Sequence, residues 1–215
     1  MKIYCDSCDI EVIKKYKELG IVDGVTTNPS IIARSGKDFK KAIAEICEII
    51  DTSVSVEVMA IEYKSMLKEA EELANLAPQI TIKLPITEDG LKACKTLSEK
   101  GMAVNMTLCF SPAQALLVAK VGATYVSPFI GRLDDMGRNG LDLVEDICAI
   151  YGNYPEISTQ ILAASIRNPT HIIEVAKLGV DVITLPPKLI SAMISNPLTE
   201  KGISIFLNDW NKVKG

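Results

Sequence analysis

Residues 80–85 read Ile80-Thr81-Ile82-Lys83-Leu84-Pro85. A short run of β-branched and aliphatic residues predicts a strand, and a strand apolar on both sides belongs in a parallel sheet that is covered on both faces. Ahead of it, Tyr63, Met66, Leu67, Ala70, Leu73 and Ala74 recur at the i, i+3, i+4, i+7 spacing of one helix face. Behind it a second helical segment ends at Lys100-Gly101-Met102, where the next strand starts. The same joint recurs at Leu19-Gly20-Ile21, Val121-Gly122-Ala123 and Leu178-Gly179-Val180. Glycine after a helix takes the left-handed cap conformation without a Cβ clash, so the chain turns quickly into the following strand.

Counted outward from residues 80–85, strands are expected over 2–6, 24–28, 53–59, 80–85, 103–109, 124–129, 159–165 and 180–185. Ser111-Pro112 and Asn168-Pro169 each set a capping residue before a proline at the first helical position. Eight strand-helix units in 215 residues predict an α/β fold: one domain, residues 1–215, forming a closed (β/α)8 TIM barrel, compact beside the usual length of about 250 residues. A doubly wound open sheet competes, but no Gly-x-Gly-x-x-Gly follows a strand. Beyond the eighth unit, Ile203, Phe206, Leu207, Trp210 and Val213 form an apolar stripe, predicting an extra C-terminal helix over 200–215 that lies across the barrel wall or against another subunit.

The chain is 48% hydrophobic and 23% charged, with net charge -4. That balance carries no electrostatic footprint for nucleic acid and no basic run for a membrane surface, so an anionic ligand must be held locally. No stretch approaches the roughly 18 apolar residues of a membrane span, and the chain opens on a strand-like Met1-Lys2-Ile3-Tyr4-Cys5-Asp6 in place of a signal peptide, so a cytoplasmic protein is expected. Among six cysteines, Cys5-Asp6-Ser7-Cys8 has the spacing of a redox or zinc half-site. Cys47, Cys94, Cys109 and Cys148 are isolated and His171 is the only histidine, so no second half-site exists; no metal is expected, and free thiols in a reducing compartment account for the six. His171, just inside a Pro-Thr helix start, is expected at the surface.

Lys83 is the anomaly in its strand. A buried ammonium is costly, and a lysine desolvated in this way becomes a nucleophile able to form a Schiff base with a carbonyl substrate. The alternative is a lysine paired with a carboxylate or snorkelling to the surface. In a barrel the C-terminal strand ends face the active site. Those ends supply Asp6, Thr26 to Asn28, Glu57, Lys83, Asn105 with Thr107, Ser127 with Phe129, and Ser165 with Arg167. Carboxylates, a lysine, hydroxyls and amides suit acid-base chemistry around a covalent imine. Strands also end in polar residues because they end at water, which covers Thr26 or Ser127 but not Asp6, Glu57 and Lys83 together.

At these residues the chain resembles the transaldolase family, in its short single-domain branch. The matching stretches are Thr26-Thr27-Asn28-Pro29-Ser30, Ile82-Lys83-Leu84-Pro85, Asn105-Met106-Thr107-Leu108-Cys109-Phe110-Ser111, Ser127-Pro128-Phe129-Ile130-Gly131-Arg132 and Ala164-Ser165-Ile166-Arg167-Asn168. The resemblance implies that Lys83 forms the Schiff base, Asp6 is the base for carbon-carbon cleavage, and Glu57 shuttles protons through a water near Thr107. It further implies that Asn28, Asn105 and Ser127, beside Thr26 and Phe129, hold the three-carbon unit, while Arg132, Ser165 and Arg167 hold a sugar phosphate, with no cofactor. A homo-oligomer, a decamer of two pentamers using the terminal helix, is also implied. The related alternative is fructose 6-phosphate aldolase, which in this resemblance carries Gln at position 57 and Tyr at 129, whereas this chain has Glu57 and Phe129. A barrel that binds sugar phosphates without catalysis is the third reading.

Overall fold

A computed structural model describes residues 1–36 and 38–214. Its strands are β1 (Lys2–Asp6), β2 (Gly24–Thr26), β3 (Ser53–Glu57), β4 (Ile80–Pro85), β5 (Val104–Cys109), β6 (Tyr125–Pro128), β7 (Gln160–Ala163) and β8 (Val182–Leu185). They pair in parallel and in chain order, and β1 closes onto β8 from Lys2↔Val182 to Cys5↔Leu185. The sheet has no edge, which rules out the open doubly wound arrangement and leaves the (β/α)8 barrel. Around it run α1 (Ile10–Glu18), α2 (Pro29–Ser35), α3 (Phe39–Ile49), α4 (Tyr63–Ala74), α5 (Glu88–Glu99), α6 (Pro112–Lys120), α7 (Ile130–Asp134), α8 (Gly140–Gly152), α9 (Pro169–Lys177), α10 (Pro187–Ile194) and α11 (Pro197–Lys214).

Local chemistry sets the element ends. The joint glycines Gly20, Gly101, Gly122 and Gly179 all take positive φ, between 70° and 79°. Ser111 Oγ accepts from the Gln114 N–H and Asn168 Oδ1 from the His171 N–H, each before a first-turn proline. Strands stop earlier than expected where the chain is claimed by the next element. β2 ends at Thr26 because Asn28 caps α2 through the Ile31 N–H, and β7 ends before Ser165, whose φ of 59° is not a strand conformation.

β4 is buried on both sides, but it is not apolar on both. Ile80, Ile82 and Leu84 join the core between barrel and helices, whereas the Thr81 hydroxyl meets Ser53 Oγ at 2.9 Å inside the barrel. The other strands follow the same alternation. Asn105 Nδ2 reaches Ser55 Oγ (3.2 Å), and the Tyr4 and Tyr125 hydroxyls meet at 3.0 Å across the barrel with their rings edge to face. Gly24 makes room for this pair, since a Cβ there would stand 2.7 Å from the Tyr4 ring. Inside the barrel, Leu162 and Val182 pack with the two tyrosines in a small cluster separate from the main core.

The six cysteines are free thiols, with Cys5, Cys8, Cys94 and Cys109 buried. Cys8 Sγ donates to the Ile31 carbonyl at 3.4 Å. Burial pushes the Cys5 thiol up to about 12 and those of Cys47, Cys94 and Cys109 up to about 11. The terminal helix begins at Pro197, ahead of the expected 200, and Gly215 lies outside the described residues. Ile203, Phe206, Leu207, Trp210 and Val213 are all exposed, so the stripe does not lie against this chain's own barrel wall. No helix among the described residues is long and apolar enough to cross a membrane.

Candidate active site

The C-terminal ends of the strands enclose a cavity of about 200 Å³. Asp6, Thr26, Asn28, Lys83, Asn105, Ser127, Phe129, Arg132, Ser165 and Arg167, expected from sequence, all line it. Glu57 and Thr107 stand just behind the lining. Strand register puts Glu57 beside Lys83, Lys83 beside Asn105, and Thr107 two residues further along β5, so all face inward together.

Lys83 is 7% exposed. Its Nζ lies 3.0 Å from Glu57 Oε2 and donates to the Thr27 carbonyl at 3.2 Å. The carboxylate partner that a purely structural lysine needs is therefore present, but the pair opens on a cavity with a second carboxylate. Asp6 is oriented by a hydroxyl relay: Thr26 donates to Asp6 Oδ1 at 2.8 Å, and Thr184 Oγ1 is 2.6 Å from Thr26 Oγ1. Because Thr26 spends its one proton on Asp6, Thr184 donates to Thr26. Opposite, Ser127 donates to Asn105 Oδ1 at 2.7 Å, which turns the Asn105 amide nitrogen towards Ser55 Oγ. The buried Thr107 hydroxyl has no hydrogen-bond partner among the described residues, so it is available to a water or substrate oxygen.

The cationic rim is built by close approach of two segments. Ile130 N–H donates to the Ala164 carbonyl at 3.1 Å and Gly131 N–H to the Ser165 carbonyl at 2.9 Å. Only glycine fits at 131: a Cβ would come within 2.3 Å of the Ser165 carbonyl oxygen and 2.5 Å of Arg167 Cγ. The Arg132 guanidinium sits 5.3 Å from the Phe129 ring centre, and Phe110 meets that ring edge-on at 5.8 Å. Arg167 donates to Asp135 Oδ2 at 2.7 Å in a half-exposed ion pair. Ser165 and Leu108, both at positive φ, mark strain at the strand ends on either side of β6.

Thr184, Leu162 and Ala164 also line the cavity, and strand-end reasoning missed all three. The signal for Thr184 is the period-2 alternation of Val182-Ile183-Thr184-Leu185, which sets Val182 and Thr184 on the inner face at the end of β8. His171 is not at the surface as its helix-start position suggested; it is 8% exposed, its ring turned in between Asp134 of α7 and the Arg167 main chain while Pro169 and Thr170 stay exposed. A larger open cleft of about 770 Å³ lies beside β1 and shares Asp6. The site is not assigned there: its remaining ionisable groups include Asp9, Glu11 and Glu45 but no lysine or arginine, a lining that repels anions.

An amine in contact with one carboxylate, a second carboxylate held in place and two guanidiniums at the rim suit carbonyl chemistry on a small anionic molecule. Known proteins agree in kind. The family described as Transaldolase/Fructose-6-phosphate aldolase matches residues 3–215. A "Probable transaldolase" of Brucella ovis is 54% identical over 212 residues, covering 99% of this chain and 97% of that protein. One of Nitrosopumilus maritimus, with the same description, is 50% identical over 214 residues, 100% of this chain and 96% of that one. Among solved structures, inosine 5'-monophosphate dehydrogenase from Legionella pneumophila superposes with TM-score 0.61 at 14% identity, over 88% of this chain and 58% of that one. Thiamine phosphate pyrophosphorylase from Pyrococcus furiosus superposes with TM-score 0.58 at 18% identity, over 86% and 85%. These two likenesses concern the barrel fold alone.

Proposed function

Because the chain belongs to the transaldolase/fructose-6-phosphate aldolase family, we propose that it is a transaldolase, moving a dihydroxyacetone unit between sugar phosphates in the non-oxidative pentose phosphate pathway of the cytoplasm. The observation that carries this reading is Lys83 Nζ, 3.0 Å from Glu57 Oε2, at a cavity that also holds Asp6, Arg132 and Arg167. Glu57 takes a proton from the Lys83 ammonium, and the free amine attacks the keto carbon of fructose 6-phosphate or sedoheptulose 7-phosphate. The carbinolamine then loses its hydroxyl as water, with Glu57 returning the proton through a water shared with Thr107. Asp6 removes the proton from the C4 hydroxyl; the C3–C4 bonding pair flows into the iminium, and the aldose phosphate leaves. The enamine left on Lys83 adds to the aldehyde of a second aldose phosphate, and hydrolysis of the resulting imine restores the amine.

Asn28, Asn105 and Ser127 hold the hydroxyls of the three-carbon unit in this scheme. Arg132 and Arg167, with Ser165, bind the phosphate by charge-assisted hydrogen bonds. Transfer is favoured over release of dihydroxyacetone by Glu57 and Phe129: a phenyl ring offers no hydrogen-bond partner to a water that would protonate the enamine. We also propose that the uncovered stripe of α11 packs on a neighbouring subunit in a homo-oligomer, a decamer of two pentamers.

The test is a coupled assay of fructose 6-phosphate with and without erythrose 4-phosphate. Transaldolase activity requires the acceptor; release of dihydroxyacetone without it would assign the aldolase reaction, and no turnover under either condition would leave only binding. Borohydride added during turnover should reduce the imine and label Lys83 alone.

A further inference from the structure

His171 is the only histidine, is buried, and has no part in the proposed chemistry. Its two ring nitrogens are both engaged. Nδ1 accepts from the main-chain N–H of Arg167 at 3.4 Å, and Nε2 stands 3.2 Å from Asp134 Oδ2. A ring that accepts at Nδ1 in its neutral form carries its proton on Nε2, and so donates to Asp134. Asp134 closes α7 two residues after Arg132, and its other oxygen accepts from the Gly140 N–H at 2.9 Å, at the start of α8. The imidazole thus spans from the residue that carries one guanidinium to the short helix that carries the other.

Both segments need such a tie. α7 has five residues, too few to keep a helix in place by its own hydrogen bonds, and the turn after β7 runs through Ser165 in a strained left-handed conformation. The main-chain bonds from Ile130 and Gly131 fix the two segments where they leave the barrel, but they lie before the arginines. The Arg167–Asp135 pair beyond them is half-exposed and contributes little rigidity. The buried contact on the far side is His171. We infer that His171, acting through Asp134, is a positioning residue that fixes the spacing of Arg132 and Arg167 for a phosphate monoester. This rests on the reading of the two arginines as phosphate ligands.

The experiment compares His171→Ala, His171→Asn, Asp134→Ala and Arg167→Ala with the unaltered enzyme. The substrates are fructose 6-phosphate and unphosphorylated fructose, with glyceraldehyde as acceptor and inorganic phosphate as inhibitor. Misplacing one guanidinium by a fraction of an ångström should raise KM for fructose 6-phosphate and Ki for phosphate by roughly tenfold in His171→Ala. The value of kcat/KM for fructose should stay within about twofold. His171→Asn, whose side-chain oxygen can stand near the Nδ1 position, should recover part of the loss. Combining His171→Ala with Asp134→Ala should cost no more than the worse single change, since both cut one link. A thermal unfolding midpoint and the borohydride-trapped fraction of Lys83 show that each variant is folded. Equal losses on both sugars in His171→Ala, with Arg167→Ala still selective for the phosphorylated one, would overturn the inference and leave the arginine reading standing. Equal losses in Arg167→Ala would overturn the arginine reading and the inference with it.

Discussion

Replacing Lys83 with Met tests whether the Lys83–Glu57 pair serves chemistry or only the fold. The side chains are 8% and 19% exposed at a separation of 3.0 Å. Removing one partner from a buried pair costs about 3–5 kcal/mol. Water reaches part of the Glu57 carboxylate, which brings the cost below that range, to about 2–3 kcal/mol. For a chain of this size each kcal/mol moves Tm by about 2–4 °C, so Lys83→Met should melt roughly 4–12 °C lower. Adding Glu57→Gln removes the stranded charge and should restore most of that loss. Turnover should fall by about 10⁴ or more in both variants, because the covalent route has lost its amine. Calorimetry and a fructose 6-phosphate transfer assay on the same preparations decide the matter. Should the double variant recover turnover together with Tm, Lys83 would be a structural partner and the Schiff-base reading would fall. An unchanged Tm in Lys83→Met would contradict the buried pair itself.

Phe129→Tyr places a phenol beside the proposed enamine, so release of free dihydroxyacetone should rise by about one to two orders of magnitude while transfer falls; an unchanged ratio of the two products would move the choice elsewhere, with Glu57 next to test. Burial holds the Cys5 thiol at about 12 and Cys94 and Cys109 at about 11, against an ordinary 9.0. The folded chain therefore keeps these protons longer than the unfolded one: the stability they contribute is complete below about pH 9 and lost as pH rises towards 12, which urea titrations across that range measure. Iodoacetamide at pH 8 should accordingly find roughly a thousandfold less thiolate at Cys5 than at a free thiol, and rapid native labelling there would contradict its burial. A chain ending at Asn196 loses only α11, which has no buried residue, so it should fold and should sediment as a smaller species than the full chain; a monomeric full-length protein would remove the proposed oligomer.

The barrel was legible because four of its strands, β2, β5, β6 and β8, announce themselves twice, by an apolar run and by the glycine that ends the preceding helix, and the others fall at the same spacing. Gly101, for instance, cannot be mistaken for a mid-helix residue when Met102 begins a new apolar segment. Most of the site followed from one geometrical rule about strand ends. What the sequence hid was the direction in which residues face. Ile80-Thr81-Ile82-Lys83-Leu84 looks apolar throughout because threonine is β-branched, yet Thr81 belongs with Ser53 and not with Ile82. His171 was misplaced for a different reason. The first turn of a helix is normally wet, and Pro169 and Thr170 are indeed exposed, but the His171 ring turns towards Asp134 of α7, which lies about forty residues earlier in the chain and becomes a neighbour only once β6 and β7 pair. Thr184 needed its relation to Thr26 on β2, a contact made only when β8 closes onto β1.

The division between the two faces of the sheet bears on why charges are tolerated at the site. Hydrophobic burial is concentrated outside the barrel, where Val56, Ile82, Leu84 and Met106 meet the helices. Inside, below the charged residues, the lining is largely hydroxyl, amide and phenol, much of it paired side chain to side chain: Ser53 with Thr81, Asn105 with Ser55 and Ser127, Tyr4 with Tyr125. An ammonium and two carboxylates set on an apolar plug would face the full cost of desolvation. Set on this column they meet oriented dipoles, as Asp6 does through Thr26 and Lys83 does through the Thr27 carbonyl. The candidate active site is therefore the top layer of a polar column that runs down the barrel, and the outer core is free to carry the stability.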